Sequence, residues 1–397
     1  MVSLGKKLEI LADSAKYDAS CASTKTARNE AAAPGICHSY TPDGRCVSLL
    51  KILLTNYCIF DCAYCVNRAS NDIPRARFAV DEVVRLTLDF YQRNYIDGLF
   101  LSSGVIQSPD YTMEQIVEIA RALRVDHGFA GYIHLKAMPG VSQELLRTAG
   151  LWADRLSVNI ELPTTDDLQR LAPDKSHDSI EAVMASVKDG IDEAADRSTT
   201  AAAPAYAAAG QTTQMIVGAT GTSDAGILTM AGRLYERHKL RRVYFTAYSP
   251  IPGQETLLIG KPTPLVREHR LYQADQLVRQ YGFAVDEIVD QARPDLDLHL
   301  DPKLAWALRH PERWPVDINA APREDLLRVP GFGRQTVKKI LSARRHSTLG
   351  LRELRQIGAR LNVAKLFILT RDSRPAPVEQ LSAATFGSPP QQLGLAL

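Results

Sequence analysis

The chain has 397 residues, of which 45% are hydrophobic and 23% are charged. These values are ordinary for a globular protein, and the length predicts two or three domains. No segment approaches the roughly 20 apolar residues of a membrane-spanning helix, and the N-terminus lacks the apolar stretch of a secretion signal. The six cysteines are too sparse for a disulfide scaffold. We therefore expect a cytoplasmic protein without a membrane partner.

The net charge of +2 conceals an uneven distribution of charge along the chain. Between Pro302 and Arg374 there are 16 Lys and Arg residues against 6 Asp and Glu, a balance of +10, which leaves −8 for the rest. A basic C-terminal segment indicates a polyanionic partner, although solvated helical faces often carry such charge. Composition alone does not decide between these two explanations.

Apolar segments of strand type alternate with longer amphipathic segments from Val47 to about Val289. Residues 47–54, 97–101, 131–135, 155–160, 214–217 and 242–246 are the predicted strands. Predicted helices between them include residues 80–95, 113–127, 224–238 and 264–281. This alternation predicts an α/β fold with a parallel sheet and right-handed crossovers. Six such units fit a partial (β/α)6 TIM-like barrel, in which functional residues follow the C-terminal ends of the strands.

The rest of the chain divides by composition. An alanine-rich stretch at residues 194–210 breaks the alternation and is predicted to be a loop without chemistry of its own. The predicted organisation is a cysteine-containing N-terminal extension (1–46), the barrel (47–290), a connector (291–316), a small all-α domain (317–371) and a disordered tail (372–397).

Three cysteines, Cys58, Cys62 and Cys65, follow the first predicted strand with the spacing C-x3-C-x2-C. Closed zinc sites and ferredoxin-type clusters are usually held by four ligands. Three close thiolates instead favour an iron–sulfur cluster with one open iron, at which chemistry takes place. A zinc knuckle and a redox dithiol are the alternatives.

This spacing, together with the aromatic Tyr64 before the third cysteine, resembles the signature of the radical S-adenosylmethionine (radical SAM) superfamily. The resemblance implies a [4Fe-4S] cluster whose open iron binds S-adenosyl-L-methionine. Reduction of that cluster would release a 5′-deoxyadenosyl radical that abstracts hydrogen. An electron donor such as flavodoxin or ferredoxin would then be a partner.

The resemblance also implies polar contacts to S-adenosylmethionine from the ends of later strands. The segment after the second strand matches the family's glycine-rich segment but lacks its usual acidic residue, and Ser157 accompanies the candidates on the fourth strand. Ser, Asn and Gly at strand ends more often serve turns and caps. The candidate cofactor contacts are Tyr64, Ser102, Ser103, Gly104, Asn159, Glu161 and Gly218.

Two further groups of residues are candidates for a role in the reaction. His134 and Lys136 near the end of the third strand, and Tyr248 beyond the sixth, could face a substrate, or they could simply pack. Upstream of the barrel, three cysteines could hold a second cluster, donate hydrogen to a substrate radical, or be ordinary thiols. These are Cys21, Cys37 and Cys46.

The basic segment contains two short amphipathic patterns separated by Pro330-Gly331-Phe332-Gly333. This arrangement resembles the helix-hairpin-helix module of DNA repair and recombination proteins. The module exposes backbone N–H groups at the start of its second helix, where a phosphate can bind without sequence being read. A simple helical packing unit is the alternative, and residues 349–358 resemble a degenerate second copy. The candidate nucleic-acid contacts are Gly331, Gly333, Arg334, Lys338 and Lys339, with Arg344 and Arg345 adding charge.

Taken together, the chain up to about Arg371 resembles radical SAM proteins associated with DNA modification or repair. The resemblance implies an enzyme that binds duplex DNA and modifies or repairs a nucleotide. A radical SAM enzyme acting on tRNA or another RNA is one alternative. An iron–sulfur nucleic-acid-binding protein without turnover is the other.

Overall fold

The structure is a computed structural model that describes residues 2–16, 35–40, 46–197, 205–251 and 262–378. Cys21, most of the alanine-rich stretch and the tail beyond residue 378 lie outside the described residues. The chain divides into two compact units. The first comprises Met1–Thr222 and Met230–Thr263, and the second Ser223–Thr229 and Pro264–Leu397.

The first unit is built on a seven-stranded sheet whose strands follow one another in chain order. The first pair is antiparallel, and every later pair is parallel. A sequential parallel order requires a crossover after each strand, which the helices supply. The strands are β1 (Ile36–Tyr40), β2 (Cys46–Leu53), β3 (Gly98–Ser102), β4 (Tyr132–Lys136), β5 (Arg155–Ser157), β6 (Gln211–Val217) and β7 (Arg242–Ala247).

Local sequence signals define several of the helices. At the start of α3 (Pro109–Arg121), Ser108 accepts a hydrogen bond from Tyr111 N at 3.1 Å and Pro109 occupies the first turn. Asp81 and Glu82 lie in the first turn of α2 (Val80–Gln92), where the helix dipole favours them. The helices are α1 (Leu4–Ala15), α2 (Val80–Gln92), α3 (Pro109–Arg121), α4 (Gln143–Trp152), α5 (Thr165–Leu171), α6 (His177–Arg197) and α7 (Asp224–His238).

The fold class predicted from the sequence is confirmed: this is an α/β structure with a partial (β/α)6 barrel. All six predicted strands are present as β2 to β7. The fourth predicted strand, 155–160, is shorter than expected, because β5 ends at Ser157 and the chain pairs again only at Glu161, which bridges to Met215. Strand β1 is an addition that the alternating pattern did not indicate, since it pairs antiparallel with β2 from within the predicted N-terminal extension.

The sheet has two chemically different faces. Side chains alternate across it, so that residues two apart on a strand share a face. On β2 and β3, Leu50, Ile52, Leu99 and Leu101 form one face and are fully buried. The opposite face of these two strands mixes apolar residues such as Leu53 and Phe100 with Lys51 and Ser102, and it bears the site described below.

The second unit is mainly helical. Its core is aromatic: Trp306 packs at 5.1 Å from Phe283, and Trp314 packs at 5.0 Å from Phe367 between ring centroids. Its elements are α8 (Leu265–Tyr281), α9 (Val285–Ile288), α10 (Pro302–Arg309), a 3-10 turn (Pro311–Arg313), β8 (Val316–Asp317), α11 (Arg323–Arg328), α12 (Arg334–Ala343), α13 (Leu351–Gln356), α14 (Leu361–Ala364) and β9 (Ile368–Leu369).

Apart from Ser223–Thr229, the second unit starts at Pro264, ahead of residue 290, where composition placed the end of the barrel. The difference arises because α8 packs against α10 and α11, although it occupies the chain position of a barrel helix. The short strands β8 and β9 pair in parallel and bring residues 316 and 368 side by side. Among the described residues, no helix has both the length and the hydropathy needed to cross a membrane.

Candidate cofactor site

The cysteine-bearing loop leaves the C-terminal end of β2 and is attached to its neighbours by backbone hydrogen bonds. Ile59 N donates to Val105 O at 2.7 Å, and Ala63 N donates to Leu171 O at 2.7 Å. Gly104 N donates to Thr55 O at 2.8 Å. A side chain at Gly104 would collide with the loop, since an added Cβ would lie 2.2 Å from Tyr57 O. The loop therefore depends on the absence of a side chain at this position.

A single guanidinium organises the far end of the loop. Arg75 donates through Nη1 to Asn67 O at 2.8 Å, and through Nη2 to Arg68 O at 2.6 Å and Asn71 O at 2.8 Å. It also donates to Asn56 O. Four carbonyl groups from 16 residues of chain are thus satisfied by one side chain, so contacts within the protein determine the shape of the loop.

All three cysteines line a cavity of about 230 Å³ at the C-terminal ends of the strands. Cys62 is buried, and Cys58 and Cys65 are partly exposed. Six of the seven predicted cofactor contacts line the same cavity, and so do Lys136 and Tyr248. The six are Tyr64, Ser102, Ser103, Gly104, Asn159 and Glu161.

Two predicted residues lie elsewhere. Gly218 does not line the cavity, and its positive φ of 79° and its close neighbour, the Thr263 side chain, account for a glycine at this point. His134 also lies off the cavity, on the amino side of Lys136, with Nε2 2.9 Å from Ser157 Oγ. Neither position is in contact with the space that the cysteines surround.

The cavity contains a buried ion pair of which the sequence indicated only one member. Lys175 Nζ lies 2.7 Å from Glu161 Oε1, and both side chains are about one-tenth exposed. Glu161 has a left-handed backbone with φ of 68°, while its N–H and C=O bond to Gln214 and Ile216 on β6. Lys175 Nζ also lies 6.0 Å from the Tyr64 ring centroid. No period or motif marks Lys175 in the sequence, because it follows α5 in an irregular loop.

The electrostatic surroundings of the cysteines combine desolvation with the charge of this ion pair. Burial raises the pKa of the Cys62 thiol, and the nearby Lys175 opposes that shift. Burial together with the neighbouring Cys62 raises the pKa of Cys65 to about 12. In the described part of the chain, no three His, Cys, Asp or Glu side chains are grouped to hold one metal ion. A cubane cluster has a different requirement, because its ligands bind separate irons and stand farther apart.

The residues present fit a cluster with a polar organic ligand. Thiolates are the usual ligands of iron–sulfur clusters. Ser102 Oγ and Thr246 Oγ1 line the cavity, are buried and have no hydrogen-bond partner within the described residues. Buried hydroxyls without partners are rare, and here they face a space in which a ligand could supply them. The Lys175 ammonium and Glu161 carboxylate offer opposite charges for a zwitterionic group.

The cysteines upstream of the barrel do not converge on one another in the described region. Cys37 pairs with Leu49 and Cys46 pairs with Tyr40 in the β1–β2 ladder. Since Cys46 and Leu49 are three residues apart on one strand, Cys37 and Cys46 lie on opposite faces of the sheet. One metal ion between these two cysteines is therefore excluded by the register. Cys21 lies outside the described residues.

The second unit contains the predicted pair of helices, α11 and α12, joined by a turn at residues 329–333. Gly331 has φ of 84°, and its neighbour Arg360 O would be 3.1 Å from an added Cβ. Gly333 is the N-cap of α12, and Phe332 is buried beneath the turn. Lys303 Nζ donates to Phe332 O at 2.7 Å from α10. A second glycine turn at Gly358, with φ of 82°, follows α13.

The basic side chains between residues 338 and 345, in α12 and just after it, divide into two groups. Lys339 donates to Ile357 O at 3.0 Å, and Arg344 donates to Ile318 O and Ala321 O, so these two brace the unit. Lys338 and Arg345 are exposed and, among the described residues, their side chains make no hydrogen bond or ion pair. They line a surface groove of about 540 Å³, which we call the basic groove. Its residues are Arg323, Arg334, Gln335, Lys338, Leu341, Ser342 and Arg345.

Comparisons with known proteins give distant structural matches only. No protein-family model and no curated relative matches the chain. The FeFe-hydrogenase maturase HydG from Carboxydothermus hydrogenoformans matches with a TM-score of 0.44 and 13% identity, over 57% of this chain and 50% of that one. Methylornithine synthase (PylB) matches with a TM-score of 0.42 and 16% identity, over 70% of this chain and 67% of that one. Streptococcus suis SuiB matches with a TM-score of 0.41 and 12% identity, over 56% of this chain and 45% of that one. This chain thus spans about half of the HydG and SuiB chains, and its fold is assigned from its own strand order.

Proposed function

We propose that the chain is a radical SAM enzyme that acts on DNA. The radical SAM chemistry is supported by the position of Cys58, Cys62 and Cys65, which line one cavity at the C-terminal ends of parallel strands. Parallel α/β barrels place their reactive groups at this end. The three thiols are accompanied there by unpartnered hydroxyls and a buried ion pair, as a cluster with a bound zwitterion requires.

Each residue of the cysteine cavity would have its own role. Cys58, Cys62 and Cys65 hold the [4Fe-4S] cluster. Lys175 and Glu161 face the charged groups of S-adenosylmethionine, and the Ser102 and Thr246 hydroxyls offer hydrogen bonds to its polar atoms. When bound, the cluster and S-adenosylmethionine supply a 5′-deoxyadenosyl radical that abstracts hydrogen. The enclosing walls of the cavity, including Tyr64, keep water away from that chemistry.

This part of the proposal is tested by anaerobic reconstitution with iron and sulfide. We expect about four irons per chain and, on reduction with dithionite in the presence of S-adenosylmethionine, 5′-deoxyadenosine. Cys58→Ala should lose both the iron and the product. The matched control is Cys46→Ala, which removes an exposed cysteine of β2 and should keep both the iron and the 5′-deoxyadenosine. A fully loaded cluster that yields no 5′-deoxyadenosine would rule out the proposed enzyme.

DNA as the substrate is supported by the second unit. Its basic groove lies beside the start of α12, where Gly333 leaves the first N–H groups of the helix free of a side-chain cap. A helix N-terminus with flanking cations suits phosphate groups, and contacts of this kind bind a duplex without reading its sequence. The balance of +10 between Pro302 and Arg374 favours the same class of partner.

DNA binding and nucleotide modification are tested in separate experiments. Fluorescence anisotropy with a labelled duplex, a single strand and a tRNA should show tightest binding to the duplex. Mass spectrometry of nucleosides from duplex DNA treated with the reconstituted enzyme should then show a modified or restored nucleoside. Tighter binding to tRNA, with products found only in RNA, would replace DNA by RNA as the substrate. An electron donor such as flavodoxin or ferredoxin would supply the reducing equivalent in the cell.

A further inference from the structure

The inner face of the barrel sheet carries a second polar cluster, separate from the cysteine cavity. On β4, Lys136 lines the cavity, so His134 and Tyr132 lie two and four residues earlier on the same face. At about 3.3 Å per residue, Tyr132 is roughly 13 Å from the cavity level. The same spacing, counted back from Ser157, Gln214 and Thr246, places Arg155, Thr212 and Arg242 on this face of β5, β6 and β7.

These side chains form one contiguous group across four neighbouring strands. His134 pairs with Arg155 across β4 and β5, and Thr212 pairs with Arg242 across β6 and β7. Ser157 pairs with Thr212, which links the two halves. The Arg155 guanidinium carbon lies 5.9 Å from the Tyr132 ring centroid. We call Tyr132, His134, Arg155 and Thr212 the inner cluster.

Each member of the inner cluster has a buried polar atom without a hydrogen-bond partner in the described structure. The atoms are Tyr132 Oη, His134 Nδ1, Arg155 Nε and Thr212 Oγ1. His134 and Thr212 are each 1% exposed, and Arg155 is 4% exposed. Among the described residues, the Arg155 guanidinium makes one hydrogen bond, a long one of 3.5 Å from Nη2 to Ala209 O. Single buried polar atoms without a hydrogen-bond partner occur in native proteins, but four on one face of three neighbouring strands call for a common explanation.

The chemistry of these four atoms is that of donors. Arg155 Nε and the two hydroxyls carry hydrogens, and His134 Nδ1 does so when Nε2 accepts from Ser157 Oγ. Burial, followed by the positive charges of Arg155, Lys136 and Lys51, holds the pKa of His134 well below its usual value. The imidazole is therefore neutral, and it donates through Nδ1 in the tautomer whose Nε2 accepts from Ser157 Oγ.

The neighbouring carboxylate does not neutralise the cluster. Asp154 accepts hydrogen bonds from Arg124 Nη2 at 2.7 Å and Ile133 N at 2.7 Å, and its side chain is 36% exposed. A buried arginine without a bonded carboxylate is costly, because the charge loses its hydration and gains no partner. The cluster therefore lacks an acceptor that carries negative charge.

We propose that the inner cluster binds a small inorganic oxyanion of the phosphate or sulfate type. Arg155 would face two of its oxygens, as guanidinium groups do with planar or tetrahedral oxyanions, and Tyr132, His134 and Thr212 would donate to the others. A tetrahedral oxyanion has enough lone pairs to accept hydrogen bonds from four donors. The site would brace the amino ends of β4 to β6 and is independent of the proposed cofactor chemistry.

Thermal unfolding of the full chain, without iron, tests the proposal. We expect the Tm to rise saturably with sodium phosphate compared with sodium chloride at matched ionic strength, because a ligand that binds only the folded state stabilises it. Arg155→Met should abolish the phosphate-specific shift. The control Arg93→Met removes an exposed arginine at the C-terminus of α2. It makes the same change in charge and should keep the phosphate-specific shift. Comparing variants cancels the general effect of phosphate on protein hydration.

A milder variant and a direct observation guard against a folding defect. Thr212→Val is nearly isosteric and removes one donor, so the apparent phosphate affinity should fall about tenfold while the fold is kept. Crystals soaked in selenate should show anomalous density beside Arg155. The proposal would be overturned if the inner cluster held only water and showed no anomalous density. An equal rise in Tm with phosphate in wild type, Arg155→Met and Thr212→Val would overturn it as well.

Discussion

At the scale of single residues, the Glu161–Lys175 pair joins the fold to the candidate chemistry. Its two charges are 2.7 Å apart and mostly shielded from water. The attraction between them offsets the cost of burying each, so removing one partner leaves the other uncompensated.

We therefore expect Lys175→Met to lower the free energy of unfolding by about 3–5 kcal/mol, measured by urea denaturation. The double variant Lys175→Met with Glu161→Gln should recover part of that loss. Lys6→Met, which breaks the exposed Lys6–Glu9 pair, is the control and should change stability by less than about 1 kcal/mol. Equal effects of the buried and exposed substitutions would contradict this assignment.

Gly104 is the second residue on which the site depends. Gly104→Ala should displace the cysteine loop, since its Cβ would meet Tyr57 O at 2.2 Å. We expect iron content after reconstitution to fall by at least about half and the Tm to drop. Gly232→Ala is the control, because nothing lies within 4 Å of its added Cβ and alanine favours the helix. Normal iron loading in Gly104→Ala would show that the loop tolerates the displacement.

At the scale of elements, Lys303 ties α10 to the turn between α11 and α12. Burial lowers the pKa of Lys303 to about 7, against the ~10.4 of a lysine in an unfolded chain. Between these values the unfolded chain binds a proton that the folded chain does not, so stability rises with pH. Below about pH 7 both states are protonated and the dependence ends.

Over pH 7–10, the free energy of unfolding of wild type should therefore increase by several kcal/mol relative to Lys303→Met. Guanidinium denaturation followed by tryptophan fluorescence reports mainly on the second unit, because two of the three tryptophans, Trp306 and Trp314, lie there. Lys365→Met removes an exposed lysine of the same unit and should follow the wild-type curve. Parallel curves for wild type and Lys303→Met would mean that Lys303 is solvated in the folded state.

At the scale of the whole molecule, charge predicts how binding responds to salt. If four cations of the basic groove, Arg323, Arg334, Lys338 and Arg345, contact phosphates, log K should fall with log salt with a slope of about −3.6. Raising salt from about 50 to 200 mM should then weaken duplex binding roughly hundredfold. Lys338→Ala should make the slope shallower by about 1, measured by fluorescence anisotropy. A slope near zero would show that the groove does not contact phosphate.

Much of this organisation could be predicted from the sequence because it rests on periodic patterns. The six parallel strands alternate with helices, and the spacing of Cys58, Cys62 and Cys65 is local, so both are readable without a structure. Lys175 was not predictable in the same way, since an irregular loop brings it to Glu161 from 14 residues away. The inner cluster depends on strand register, and the boundary at Pro264 depends on packing of α8, neither of which a single sequence displays.

The arginine at position 75 has a consequence for how the protein is assembled. This one side chain donates to four carbonyls of the cysteine loop, so contacts within the protein constrain the loop backbone. Many small metal sites fold only when the ion arrives, so an empty chain is an unfolded chain. We expect the cysteine loop to differ from such sites, because the Arg75 contacts would hold its backbone before the proposed cluster binds, and the iron-free chain should then fold without exposing its core.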